Sequence, residues 1–113
     1  MTIETSAGEP LSAGLLKNYF RNLVNQVYKI LPMREKEAET IRKYIWRLEA
    51  ELVGFRGLTL ALREDAYYGN LIGTISYLSE HVMDCTPGQV KQLVFECISL
   101  CGKLSDRYAG GDD

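Results

Sequence analysis

From Leu15 to Leu104 the apolar residues recur every three or four positions, the spacing that gathers them on one face of an α-helix. Pro32, the Gly54–Gly57 pair and the Thr86-Pro87-Gly88 step interrupt the pattern and divide it into four runs. Short links between helical runs make consecutive helices antiparallel neighbours. The pattern therefore predicts an all-α protein, an up-and-down antiparallel bundle of four helices.

The first run extends from Leu11 or Ser12 to Leu31, with Leu16, Phe20, Leu23, Val27 and Ile30 on one side. Pro32 is expected to stop it, because proline has no N–H and biases the preceding residue away from the α region. The second run, Arg34 to Val53, carries Ala38, Ile41, Tyr44, Ile45, Leu48 and Leu52, with Phe55 beyond. Glu35, Glu37 and Glu39 favour the positive end of its dipole, and Glu39 lies four residues before Lys43, the better orientation for an ion pair. Gly54 and Gly57 are expected to close this helix. The third run, Leu58–His81, places Tyr67, Leu71, Ile75, Leu78 and Val82 in register. Its Tyr68-Gly69-Asn70 step predicts either one bent helix or a short Leu58–Glu64 piece followed by a longer one. The fourth run has the strongest start signal. Thr86 stands at the N-cap, Pro87 at the first helical position and Gln89 three after the cap. Val90, Leu93, Val94, Cys97, Ile98, Cys101 and Leu104 follow, to about Tyr108. Residues 1–10 read as a flexible lead, 11–108 as one domain and 109–113 as a flexible tail.

Composition narrows the class. A chain of 113 residues with 46% hydrophobic and 25% charged residues can bury a core without disulfide or metal staples. A net charge of −2 provides no general attraction to nucleic acid or anionic lipid. Three cysteines are an odd number, and two of them share one helical run, which suits reduced thiols in the cytoplasm. Met1–Pro10 has no basic or apolar block of the kind a secretory signal needs, and no apolar stretch is long enough to span a bilayer. The expectation is a cytoplasmic protein with no membrane partner.

Little in the sequence carries chemistry. His81, the only histidine, excludes a paired Glu-x-x-His di-iron site, and no nucleophile motif accompanies it. A histidine at a helix end ordinarily meets the last carbonyls or solvent. His81 and Cys85 are four apart, as are Cys97 and Cys101, the elements of a His-Cys₃ zinc site. Helical rise nevertheless separates Cys85 from Cys101 by roughly 20 Å, so one ion cannot reach both. Cys97 and Cys101 read as small core residues. Gly54-x-x-Gly57 lacks the lysine and preceding strand of a phosphate loop. Glu35/Glu39 and Glu64/Asp65 occupy patterned polar positions expected on solvated faces. No catalytic residue, cofactor or metal is expected.

Departures from the stripes carry more information. At 100° per residue, Trp46, Ala50 and Val53 project well off the main stripe of the second helix, and exposed tryptophan often anchors an interface. Ala66, Gly69, Gly73 and Ser76 form a ridge of small residues opposite the Leu71–Ile75–Leu78 stripe, bordered by Tyr67, Tyr68 and Tyr77. Such a ridge admits a close helix, and the simpler expectation is a helix of the same chain, the other being the same ridge of a second subunit. In the first helix Lys17, Arg21 and Lys29 lie in one row with Asn25, flanked by Asn18, Asn22 and Gln26, with no acid from Leu11 to Leu31. Amides interleaved with bases can touch phosphates. Three charges without a nucleic-acid motif fit a solvated face better.

No family motif is present. The general pattern resembles small helical proteins of bacterial genomes and their mobile elements, and no residue role rests on that resemblance. The sequence therefore predicts a non-enzymatic interaction module that self-associates, as a homodimer for example, or docks on a protein through Trp46, Ala50, Val53, Gly69, Gly73 and Tyr77. The alternative is a nucleic-acid-associated, regulatory or inhibitor protein using Lys17, Arg21 and Lys29.

Overall fold

The computed structural model describes residues 2–4, 10–33, 38–58 and 60–109. Its body is all-helical, built on four long helices: α1 (Ala13–Tyr28), α3 (Ala38–Leu58), α5 (Ala66–His81) and α6 (Pro87–Ala109). Two single-turn helices, α2 (Ile30–Met33) and α4 (Leu60–Arg63), join them. The sequence showed no element before Leu11, yet strand β1 (Thr2–Glu4) pairs antiparallel with β2 (Pro10–Ser12), Ile3 opposite Leu11. Residues 5–9 of the lead, the segment 34–37 with Glu35 and Glu37, and residues 110–113 of the tail lie outside the described residues.

Each predicted stripe becomes one wall of a single core. Leu16, Phe20, Leu23 and Val27 of α1 meet Ile41, Ile45, Leu48 and Leu52 of α3, Leu71, Ile75 and Leu78 of α5, and Val90, Val94, Cys97, Cys101 and Leu104 of α6, all buried. Helix α6 packs along α1 and α5, and α5 packs on α3. Helices α1 and α3 meet through aromatic side chains: Tyr19 stacks on Phe55 at 4.7 Å between ring centroids. The Tyr44 hydroxyl donates to the Gln26 carbonyl at 2.7 Å.

Two helix boundaries differ from expectation, each for a local reason. Helix α1 ends at Tyr28, earlier than Leu31, and Pro32 lies inside α2. The Tyr28 carbonyl would bond the N–H of residue 32, which proline lacks, so Pro32 acts four residues upstream. Helix α3 runs through Gly54 and Gly57 instead of stopping there. Leu52 and Phe55 keep its inner face packed, and the end is held by Arg63, whose guanidinium donates to the Gly57 carbonyl at 2.6 Å. The third run is two pieces, as one of the two expectations had it: α4 lies within the short Leu58–Glu64 piece, the break falls at Glu64–Asp65, and α5 passes through Gly69–Asn70. Asp65 is the cause. Its Oδ1 accepts the N–H groups of Tyr67 at 2.9 Å and Tyr68 at 3.3 Å, satisfying two donors that a helix start leaves open. The start of α6 is the reciprocal cap its sequence spells. Gln89 Oε1 accepts the Thr86 N–H at 2.8 Å, and Thr86 Oγ1 accepts the Gln89 N–H at 3.2 Å.

Candidate interaction surfaces

A protein that docks on another must expose what its own core could have used, and α3 does so. Trp46, Ala50 and Val53 fall within an arc of roughly 60° on the face turned away from Ile41, Ile45, Leu48 and Leu52. Trp46 is 63% exposed and Val53 51% exposed, while the inner residues Ile41, Ile45 and Leu52 have no exposed surface. A Cβ added at Gly54 or Gly57, on the same side of α3, would find no atom of the described residues within 4 Å beyond its own stretch of helix. Beside Trp46 lies an open groove of about 590 Å³, lined by Met33, Thr40, Lys43, Tyr44 and Arg47. The Arg47 guanidinium stands 5.8 Å from the centroid of the Tyr44 ring. Burial of Tyr44 pushes its phenol above the ordinary range, with Arg47 opposing, so this hydroxyl stays a donor.

The second surface is the seam between α5 and α6. Gly69, Gly73 and Tyr77 face Leu93 and Glu96 across a groove of about 420 Å³, and a hollow of about 250 Å³ continues it past Gln89, Gln92 and Cys85. A Cβ at Gly69 or Gly73 would again meet nothing within 4 Å among the described residues. The expected close approach by a helix of the same chain is therefore not made: α6 flanks this ridge through Leu93 and Glu96 without covering it. Tyr77 is half exposed, its ring 4.6 Å from the His81 imidazole.

The remaining candidates are dispersed. Arg21 and Lys29 are exposed and Lys17 is half-buried, its carbonyl accepting from the Ser105 hydroxyl at 3.4 Å. His81 ends α5, where its carbonyl accepts the N–H groups of Asp84 at 2.9 Å and Cys85 at 3.1 Å. Its ring nitrogens lie 3.8 Å from Glu80 and 3.9 Å from Asp84, long ion-pair distances at a half-exposed position. No disulfide joins Cys85, Cys97 or Cys101. Burial pushes the Cys101 thiol up to about 12 and raises Cys97 further, burial again being the main cause, which makes both poor nucleophiles. Among the described residues no group of three His, Cys, Asp or Glu side chains is placed to hold a metal ion, and no helix is long and apolar enough to cross a membrane.

One polar constellation escaped the sequence reading. Besides capping α5 through Oδ1, the nearly inaccessible Asp65 carboxylate places Oδ2 3.1 Å from Arg107 Nη1. The Arg107 guanidinium also sits over the Tyr67 ring at 4.8 Å, and the Lys103 ammonium lies 5.3 Å from the same ring. The cap could be read from an Asp ahead of a helical run. The ion pair could not, since its partner is on another helix. Both residues hold the start of α5 to the end of α6, a structural task.

No protein-family model matches the chain, and no curated protein and no solved structure matches it.

Proposed function

We propose that this chain is a non-enzymatic protein-interaction module, an up-and-down antiparallel four-helix bundle that binds a second copy of itself or another protein. The antiparallel reading is supported by the order of contacts. Tyr19 meets Glu51 and Phe55, whereas Gln26, further along α1, meets Tyr44, earlier on α3. Lys17 meets Ser105 while Tyr28 meets Phe95. Asp65 meets Arg107, and Tyr77 shares its groove with Leu93.

The observation that carries the interaction reading is Trp46, a large apolar side chain 63% exposed on a helix whose other face is sealed. Val53, Ala50 and the open glycines extend that face, and aromatic residues are the usual anchors of interfaces. The reading includes a reducing cytoplasmic setting, supported by three cysteines with no disulfide among them. Replacing Trp46 by a photo-crosslinking amino acid in the native cell tests it. A covalent adduct with a defined protein, another copy included, is the expected result. Absence of any adduct from Trp46 and from Tyr77 overturns the reading.

A further inference from the structure

The outer face of α3 repeats in heptads. Lys43, Trp46, Ala50, Val53 and Gly57 are spaced alternately by three and four, the interval at which two helices bury a shared seam. The inner seam of Ile41, Ile45, Leu48, Leu52 and Phe55 has the same spacing and faces the core. Each of the five outer residues is exposed. Gly54 and Gly57 weaken a helix interior relative to alanine, and no atom of the described chain approaches within 4 Å of a Cβ placed at either.

We propose that this outer seam is occupied by the α3 helix of a second copy, running antiparallel about a two-fold axis between Leu52 and Glu51. The inference rests on the interaction-module reading and names its partner. In that register Trp46 of each copy lies over Gly57 of the other, and Ala50 lies against Val53, so each layer between Trp46 and Gly57 pairs a larger residue with a smaller one. Knobs and holes then match at both ends of the seam. The flanks match in charge: Glu49 of one copy, half-buried with its Oε2 closed to solvent and unpaired among the described residues of that copy, stands beside the exposed Arg56 of the other, twice by symmetry, and Arg47 passes Gly54, where no side chain obstructs it. A parallel pairing has neither property. It sets Trp46 on Trp46, leaves Gly57 opposite Gly57, and puts Glu49 beside Gly54, with no charge partner. Shape and charge therefore both select the antiparallel dimer. From Trp46 to Gly57 the paired layers span only about 16 Å of helix at about 1.5 Å per residue, so a weak, reversible dimer is expected rather than an obligate one.

Sedimentation equilibrium of the purified chain over a wide concentration range tests this, with circular-dichroism melts showing that each variant is folded. The wild type should dimerise. Trp46→Ala and Gly57→Phe should each weaken the dimer about tenfold or more, the first by removing a knob and the second by filling its hole. Arg56→Glu should weaken it by like-charge contact with Glu49, and adding Glu49→Arg should restore it, which only the antiparallel register permits. Dimerisation untouched by all four changes overturns the α3 seam and leaves self-association standing. A strict monomer at every concentration overturns the second copy. In that case a crosslink from position 46 to a different protein keeps the module reading, and no crosslink overturns both.

Discussion

The inner face of α3 is closed off from water by α1 and α5, whereas Trp46 and Val53 on its outer face keep more than half their surface in solvent. The two faces share one helix and one spacing, although the outer one carries only Trp46, Ala50 and Val53 as apolar side chains against five large ones inside. They differ in what lies across from them. Apolar periodicity therefore reports where a helix can bury surface, and only the tertiary structure tells whether the same chain supplies the cover. The same contrast holds for polar contacts. Asp65 is buried between a helix start and Arg107, while the Glu39–Lys43 pair, at 3.0 Å, has both side chains about three-quarters exposed.

The largest effect should come from breaking the inner face. Leu52→Ala should cost about 2–5 kcal/mol by leaving a cavity, against about 0.5 kcal/mol or less for Val53→Ala in dilute protein. Chemical denaturation measures both, and equal losses would abolish the distinction between the faces. The polar contrast should be smaller. Asp65→Ala removes a cap and strands Arg107, for a loss of about 2 kcal/mol, whereas Glu39→Ala should shift stability by about 0.5 kcal/mol at most. Similar thermal midpoints for the two variants would contradict that ranking.

Alkali should act chiefly on the sealed side. Cys97, Cys101, Tyr19 and Tyr68 all have their proton affinity raised in the folded state, chiefly by burial, with Glu51 adding to the shift of both tyrosines. The native chain then holds protons that the unfolded chain releases, so stability falls as pH rises. For Cys101 the contribution is intact below the ordinary thiol value of 9.0 and is lost as pH climbs to about 12. A thermal midpoint that stays level or rises above pH 9.0 would contradict this, and Cys101→Ala should make the decline shallower.

The smallest effect should be a gain on the open side. Gly73→Ala should stabilise the monomer by roughly 0.5–1 kcal/mol, because its Cβ meets only open space and alanine favours the helix. A lower midpoint would mean that something in the protein covers this ridge after all.

The four runs and their inner stripes were legible because period alone determines which face is apolar, and the Thr86-Pro87-Gly88-Gln89 start because capping is local chemistry. Boundaries were harder where distant contacts decide them. Gly54 and Gly57 look like a stop, yet α3 continues because Phe55 packs inside and Arg63 holds the last turn. Gly69–Asn70 looks like a break, yet α5 passes through it because Asp65 starts the helix earlier and Tyr68 reaches the Leu52 carbonyl at 2.6 Å. That Trp46 and Val53 project off the stripe could be computed from the helical angle. That Leu93 and Glu96 form the far wall beside Gly73 could not, because α5 and α6 meet only through the fold.

Trp46 is the only tryptophan in the chain, so intrinsic fluorescence reads the outer face of α3 without labelling. Its emission maximum and its quenching by acrylamide, followed from dilute to concentrated protein, test directly whether this face is a working surface. The expected result is a solvent-exposed signal at low concentration that shifts to the blue and becomes protected as copies associate, with Arg56→Glu holding it exposed. A Trp46 that stays equally quenchable and red-shifted at every concentration would contradict the dimer across α3.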